Sequence, residues 1–302
     1  MDFTPWVRHF ERNGQRQRAL EAQIDGAERC RLDTRRRRAF IRSFQRFELG
    51  ESGDGRHLLA KAERAGDAQY THALALLVAE EQRHSALFAR GLDHLGGKPL
   101  AGHWSNTAFT ALRRALGLRT ELGLFLVAEA VAIEYFTALA TGAPDPVLRD
   151  IGRRLEHDER DHLRFQVDRL VQGWAGRPLV VRSAVRVALL AVGLGAAAVL
   201  VTDHRAALRA CGRNPVGYAW RALRRLQHLL GLALGSDPSV GAAPCSGTAQ
   251  HSRPGGRSAV AVDAGRGEEH RGAAFLAHDP VEGVPVVVGA AGPGEHRAQQ
   301  QS

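Results

Sequence analysis

The sequence is poor in cysteine, methionine and aromatic residues, and each shortage excludes something. Three cysteines in 302 residues, Cys30, Cys211 and Cys245, are odd in number and far apart. They make no disulfide framework and no CxxC metal motif, which fits a reducing cytoplasm. The N-terminus, Met1 to Trp6, lacks a basic region followed by an apolar one, so no signal peptide is expected. Residues 187–202 are sixteen uncharged residues, short of the ~20 needed to span a bilayer. A buried helix rich in Ala and Gly is expected there, with a helix lying on a membrane surface as the alternative. Glycine clusters at Gly50, Gly53 and Gly55, but no Gly-Lys-Ser/Thr ending follows and no strand precedes, so this is not a phosphate loop.

What is present favours helix. Leu, Ala and Arg dominate, and all three are strong helix formers. Formal net charge is +9. Residues 1–235 hold 36 Lys/Arg against 25 Asp/Glu. The arginines are spread over many helical segments, the densest run being Arg35 to Arg38. This reads as a solvated basic surface and not as a specific nucleic-acid site.

Residues 1–32 are polar, with Trp6 and Phe10 as anchors onto the rest. From Asp33, with Asp33 or Thr34 as the cap, apolar positions Phe40, Ile41, Phe44, Phe47 and Leu58 recur at helical spacing, interrupted by the glycines at 50–55. Ala65-Gly66-Asp67 predicts a turn and a cap. A second helix is expected over 68–95, ended by Gly96-Gly97-Lys98-Pro99. A connection of roughly twenty residues through Trp104 follows, long for a compact domain. A third helix over 118–141 is apolar almost all round and should be buried. After a turn at 142–146, a fourth runs over 146–173. Two pairs joined by one long connection suit a four-helix bundle with a crossover. Accessory helices are expected over 179–210 and 216–234. Residues 236–302, with six prolines and eleven glycines, have no sustained period and read as a disordered tail.

Two Glu-x-x-His motifs occur: Glu81-Gln82-Arg83-His84 and Glu159-Arg160-Asp161-His162. Chance alone supplies about 0.8 such motifs in a chain of this composition, so the bare pattern is weak. Placement strengthens it. The i, i+3 spacing sets both side chains on one helix face. Each motif follows another acid, Glu80 or Asp158, able to orient the histidine of the opposite motif. Glu51 and Glu129 each lie 30 residues before a motif glutamate, with a turn near the midpoint. Glu129 stands alone in an apolar stretch, Leu122 to Ile133, where an unpaired carboxylate is costly. A metal cation is the natural partner.

One Glu from each of two helices plus Glu-x-x-His from two more is the donor set of di-iron and di-manganese carboxylate proteins. Through Leu49 to Arg56, Glu80 to His84, Ala128-Glu129 with Tyr135-Phe136, and Asp158 to His162, the sequence resembles the ferritin-like di-iron superfamily, in a bacterial branch, over residues 33–175. The resemblance implies an all-α, ferritin-like four-helix bundle with one crossover. It implies six ligands, Glu51, Glu81, His84, Glu129, Glu159 and His162, with Glu81 and Glu159 bridging and Glu48 as the substitute for Glu51. The four glutamates would also take part in catalysis. Two iron ions are the expected cofactor, with manganese or a mixed pair also suited to these donors.

The function implied is activation of dioxygen by an oxidase or oxygenase acting on a small or lipid-like substrate. A ferroxidase or iron-binding protein and a non-enzymatic helical scaffold are the alternatives. Three cysteines cannot build a four-cysteine iron centre, so electrons must come from a separate donor protein. Peripheral membrane contact and a homodimer are compatible with this reading. Glu48, Glu63, Glu121 and Glu134 are expected at the surface or at helix ends, His72 and His157 as exposed, and His57 as either solvated or placed behind a ligand. Tyr135 is expected either as packing with its hydroxyl satisfied or as an electron carrier.

Overall fold

A computed structural model of the chain describes residues 1–235 except 23 and 25–27. The expected tail, 236–302, lies outside the described residues. Among the described residues the fold is all-helical, with nine helices: α1 (Thr4–Glu21), α2 (Thr34–Glu51), α3 (Arg56–Arg64), α4 (Ala68–Leu95), α5 (Trp104–Arg114), α6 (Leu118–Gly142), α7 (Pro146–Trp174), α8 (Leu179–Ala210) and α9 (Pro215–Gly235).

Local chemistry sets these boundaries. Asp33, Asp67 and Asp145 accept the N–H of Arg36 (2.9 Å), Tyr70 (2.9 Å) and Leu148 (3.2 Å). Each bond satisfies an amide that the first helical turn leaves orphaned, worth ~1 kcal/mol. Pro146 and Pro215 open α7 and α9, where a missing N–H is harmless. The glycine cluster ends α2 and starts α3. Gly55 is left-handed (φ 64°), and a Cβ there would lie 2.7 Å from Val78 Cγ1, so only glycine fits without strain. The long connection between α4 and α6 contains α5. Helix α1 forms within the segment read as merely polar.

Helix α2 packs on α4, α6 on α7, and α4 on α7. Numbers rise along α4 and fall along α7 in the contacts Glu80–His162 and His84–Asp158, so these two helices run antiparallel. Gly152 lets α7 approach α6 closely: a Cβ there would be 2.6 Å from the backbone of Ala140. The apolar core is divided. One cluster holds Tyr70, Leu74 and Leu77 of α4 with Leu163, Phe165 and Leu170 of α7. The other holds Leu87, Phe88 and Leu92 with Leu148, Ile151 and Leu155. Between them, on both helices, the chain places the Glu-x-x-His residues.

Helix α1 lies against α4 and α7, and α8 and α9 lie against α6. Helices α6 and α8 are both long and apolar enough to cross a membrane by length and composition. The burial expected for residues 187–202 holds on one side only. Leu189, Gly193, Ala197 and Leu200 face the protein, while Val187 (67% exposed) and Leu194 (61%) face outward, in line with Val180 earlier on the same helix. The cause is position: α8 is an outer helix that the other described helices cover on one side.

Candidate metal centre

Helices α4 and α7 bring the two motifs face to face. Donor atoms of Glu81, His84, Glu159 and His162 all lie within 4.8 Å of one another, and the latter three residues are buried. His84 Nδ1 is 3.3 Å from Glu159 Oε1 and 3.6 Å from Glu81 Oε2. His162 Nδ1 is 2.8 Å from Glu81 Oε1. These atoms are near but not aligned as hydrogen bonds. His84 Nδ1, His162 Nδ1, Glu81 Oε1 and Glu159 Oε2 are all buried without a hydrogen-bond partner. Buried polar atoms are almost always paired. Four orphans converging on one point, two imidazole nitrogens and two carboxylate oxygens, fit a cation held between them.

The outer nitrogens are held crosswise, as the acids preceding each motif glutamate suggested. His84 Nε2 donates to Asp158 Oδ2 (3.0 Å), and His162 Nε2 donates to Glu80 Oε2 (3.0 Å). Each bond fixes the ring so that Nδ1 points inward, the role of a carboxylate behind a ligating histidine. Helix α1 completes this layer. Asn13 Nδ2 donates to Glu80 (2.9 Å), and Gln17 Nε2 donates to Asp158 (3.0 Å). Arg154, one turn before Asp158 on α7, donates to it as well. Sequence reasoning missed Asn13, Gln17 and Arg154. The available signal was Pro5 at a helix start, with Trp6, Phe10, Asn13 and Gln17 at i, i+4, i+7 and i+11 on one face.

The two isolated acids flank the cluster. Glu51 ends α2, with its carboxyl beside that of Glu81; burial, and then repulsion from Glu81, push its pKa well up. Glu48 Oε1 instead accepts from Ser85 Oγ at 3.4 Å, whereas the Glu51 carboxyl feels Glu81, Glu159 and His84, so Glu51 and not its substitute faces the motifs. Glu129 is held on one oxygen by Gln166 Nε2, while its Oε2 is buried and unpaired. Burial, then repulsion from Glu159 and Glu81, raises its pKa well above the usual carboxylate value. Burial also raises Glu159, again with repulsion from Glu81. For His84, burial opposes charge, but the Nε2 bond to Asp158 and the nearby carboxylates of Glu159 and Glu81 prevail and lift its pKa well above normal. For His162 the Glu81 charge and the bond to Glu80 do the same. Glu81 goes the other way: despite its burial, the charges and bonds of His162 and His84 hold its carboxyl well below the usual range, so the two imidazoles and Glu81 favour each other's charged forms.

The glycine break borders a surface groove. Residues on both sides of Glu51, including Gly53, Asp54 and His57, line a groove of about 270 Å³ whose far wall includes Arg113 and Arg114. His57, His72 and Glu63 are exposed, as expected. Glu121 lies in the first turn of α6, as a helix-end acid should, though away from solvent, and the expectations for Glu134 and His157 are corrected. Glu121 is fully buried, paired with Lys61 (2.7 Å) and Arg113 (3.5 Å). Glu134 is 7% exposed and paired with Arg225 (2.7 Å) and Arg221 (3.3 Å). His157 is half-buried, which lowers its pKa. Cations from distant segments allow the two acids to be buried, and such partners leave no local trace. Tyr135 is fully buried against Phe47, and its hydroxyl accepts from Ser43. That bond supplies the satisfied-hydroxyl alternative with a partner.

A scan against protein-family models, a search of curated proteins and a search of solved structures each return no match to this chain.

Proposed function

We propose that this chain is a ferritin-like di-iron carboxylate protein that activates dioxygen to oxidise a small or lipid-like organic substrate. The observation that carries the reading is the crosswise pair of acid–histidine bonds, which turns two Nδ1 atoms and two glutamates toward one point. In this reading α2, α4, α6 and α7 are the four bundle helices, and α1, α8 and α9 are additions. Glu81, His84, Glu159 and His162 hold the pair of ions, with Glu51 and Glu129 as outer ligands on either side. When reduced, such a pair supplies electrons to dioxygen.

The chain's own residues do the rest. Asp158 and Glu80 keep the imidazoles in one tautomer and raise their basicity. Glu129, held by Gln166 through one oxygen, keeps the other free to bind or release. Apolar clusters above and below exclude bulk water from the ligand layer. Three cysteines supply no electron-transfer centre of their own, so a separate donor protein is part of the proposal.

The outward stripe of α8 extends this reading to a membrane surface. Val180, Val187, Ala191, Leu194 and Ala198 share one exposed face, and Trp220 of α9 is exposed too. Arg182, Arg186 and Arg224 lie on the same two helices, and net charge is +9. Apolar contact with basic flanks suits an anionic bilayer, where a lipid-like substrate would be met.

A ferroxidase is the second reading, because the same glutamates and histidines gathered between α4 and α7 would serve it. Anaerobic loading with ferrous ion, followed by oxygen, separates the two. An oxygenase retains its iron and oxidises an added organic substrate. A ferroxidase turns over ferrous ion in excess of its resident pair.

A further inference from the structure

Three residues that no spacing motif connects meet at the other end of α4 and α7. Cys30 lies in the connection between α1 and α2, His94 in the last turn of α4, and Asp145 caps the start of α7. One donor atom from each lies within 4.8 Å of the others. The His94 side chain is 4% exposed and that of Asp145 2%; Cys30 is half-buried. His94 Nε2 is 3.0 Å from Asp145 Oδ2. Asp145 Oδ1 also accepts the Leu148 N–H, so the carboxylate is fixed from behind. The cluster is ~15 Å along α4 from the Glu-x-x-His layer, at 1.5 Å per residue from His84 to His94.

We infer that Cys30, His94 and Asp145 form a second, mononuclear site for a zinc-class divalent cation. The donor chemistry selects that class. A thiolate, an imidazole and a carboxylate suit zinc or cobalt, whereas magnesium and calcium prefer oxygen alone. Thiolate and carboxylate together neutralise a divalent ion, which a largely buried position requires. Three protein donors leave a fourth position for water. The site ties three separate segments together. One is the chain leaving α1, the helix whose Asn13 and Gln17 support Glu80 and Asp158. The inference does not rest on what occupies the Glu-x-x-His layer.

Cobalt distinguishes the two places, because the Glu-x-x-His layer has no sulfur. Full-length protein stripped of metal is titrated with Co²⁺ and followed in the near ultraviolet, where thiolate-to-cobalt charge transfer absorbs. The wild type should develop this band. Cys30→Ser and His94→Ala should lose it together with one cobalt equivalent, while His162→Ala keeps it. Asp145→Asn, which preserves the helix cap, should bind this cobalt at least ~10-fold more weakly. Saturating Zn²⁺ should slow alkylation of Cys30 in the wild type by at least ~10-fold, since a bound thiolate is protected. No thiolate band in the wild type, a band that survives in Cys30→Ser, or alkylation indifferent to Zn²⁺ would each overturn the assignment.

Discussion

Asp158→Asn is the most informative single change outside the ligands themselves. Asp158 is fully buried and accepts from His84 (3.0 Å), from Gln17 (3.0 Å) and from Arg154. Asparagine keeps the shape but removes the charge, and one of its two polar atoms becomes a donor facing donors. Among the described residues, Arg154 would then retain Glu21, at 3.7 Å, as its acidic partner. Breaking a buried ion pair from one side costs about 3–5 kcal/mol. Losing the carboxylate behind a ligating histidine weakens metal binding about 10- to 100-fold. Urea unfolding of the metal-free variant and a metal titration of the native variant measure the two effects separately. Asp150→Asn is the control, because its pair with Arg153 is solvent-exposed (40% and 61%) and should shift stability by less than ~1 kcal/mol. If Asp158→Asn matched Asp150→Asn in both assays, Asp158 would not support the site, and the argument from the crosswise bonds would fail.

Four further outcomes are expected. Metal-free protein should lose stability as pH rises past the ordinary carboxylate and imidazole values of 4.5 and 6.5, because Glu51, Glu129, Glu159, His84 and His162 all hold protons more tightly folded than unfolded; Glu81, held low, acts only in acid below 4.5. In the loaded protein the ligands are held deprotonated while the unfolded chain still takes up protons, so melting temperature should instead rise with pH through that range; parallel curves would refute this. Gly55→Ala should destabilise by about 1–3 kcal/mol through its left-handed backbone and the contact with Val78, whereas Gly50→Ala, with open space around it, should be neutral or stabilising by up to ~1 kcal/mol. Cys211 is buried, which pushes its thiol to about 12, so mass spectrometry after alkylation of the native protein should find Cys211 unmodified; rapid labelling would contradict that burial. Flotation with anionic vesicles should carry the protein, and Val187→Glu with Leu194→Glu should abolish this. Equal binding to neutral vesicles, or a dimer that the double variant dissolves, would assign the α8 face to something other than anionic lipid.

Much of this architecture was legible because its signals are local. Asp67, the Gly96 stop, Asp145 with Pro146, and the apolar period between them mark α4, α6 and α7 to within a residue or so. The doubled Glu-to-motif spacing named six residues, and the fold gathers Glu81, His84, Glu159 and His162, with Glu51 and Glu129 alongside. What was not legible depends on contacts between distant segments. Helix α1 has a weakly apolar face, so periodicity did not reveal it, although its Asn13 and Gln17 complete the outer layer. Glu121 and Glu134 looked like surface acids because Lys61 and Arg225 are far away in sequence. The apolar run in α8 predicted burial, but nothing in it says how many neighbours would cover that helix.

The central claim is a pair of metal ions held by Glu81, His84, Glu159 and His162. It is tested most directly by counting iron in the full chain. Cys30→Ser protein, which removes the second site from the count, is loaded anaerobically with ferrous ion, desalted and analysed for metal, with His84→Ala and His162→Ala prepared alongside on the same background. The account predicts two irons per chain in the parent, loss from both histidine variants, and a transient near-ultraviolet or visible absorbance when the loaded parent meets oxygen. A parent that holds neither iron nor manganese, or histidine variants that hold as much as the parent, would contradict it.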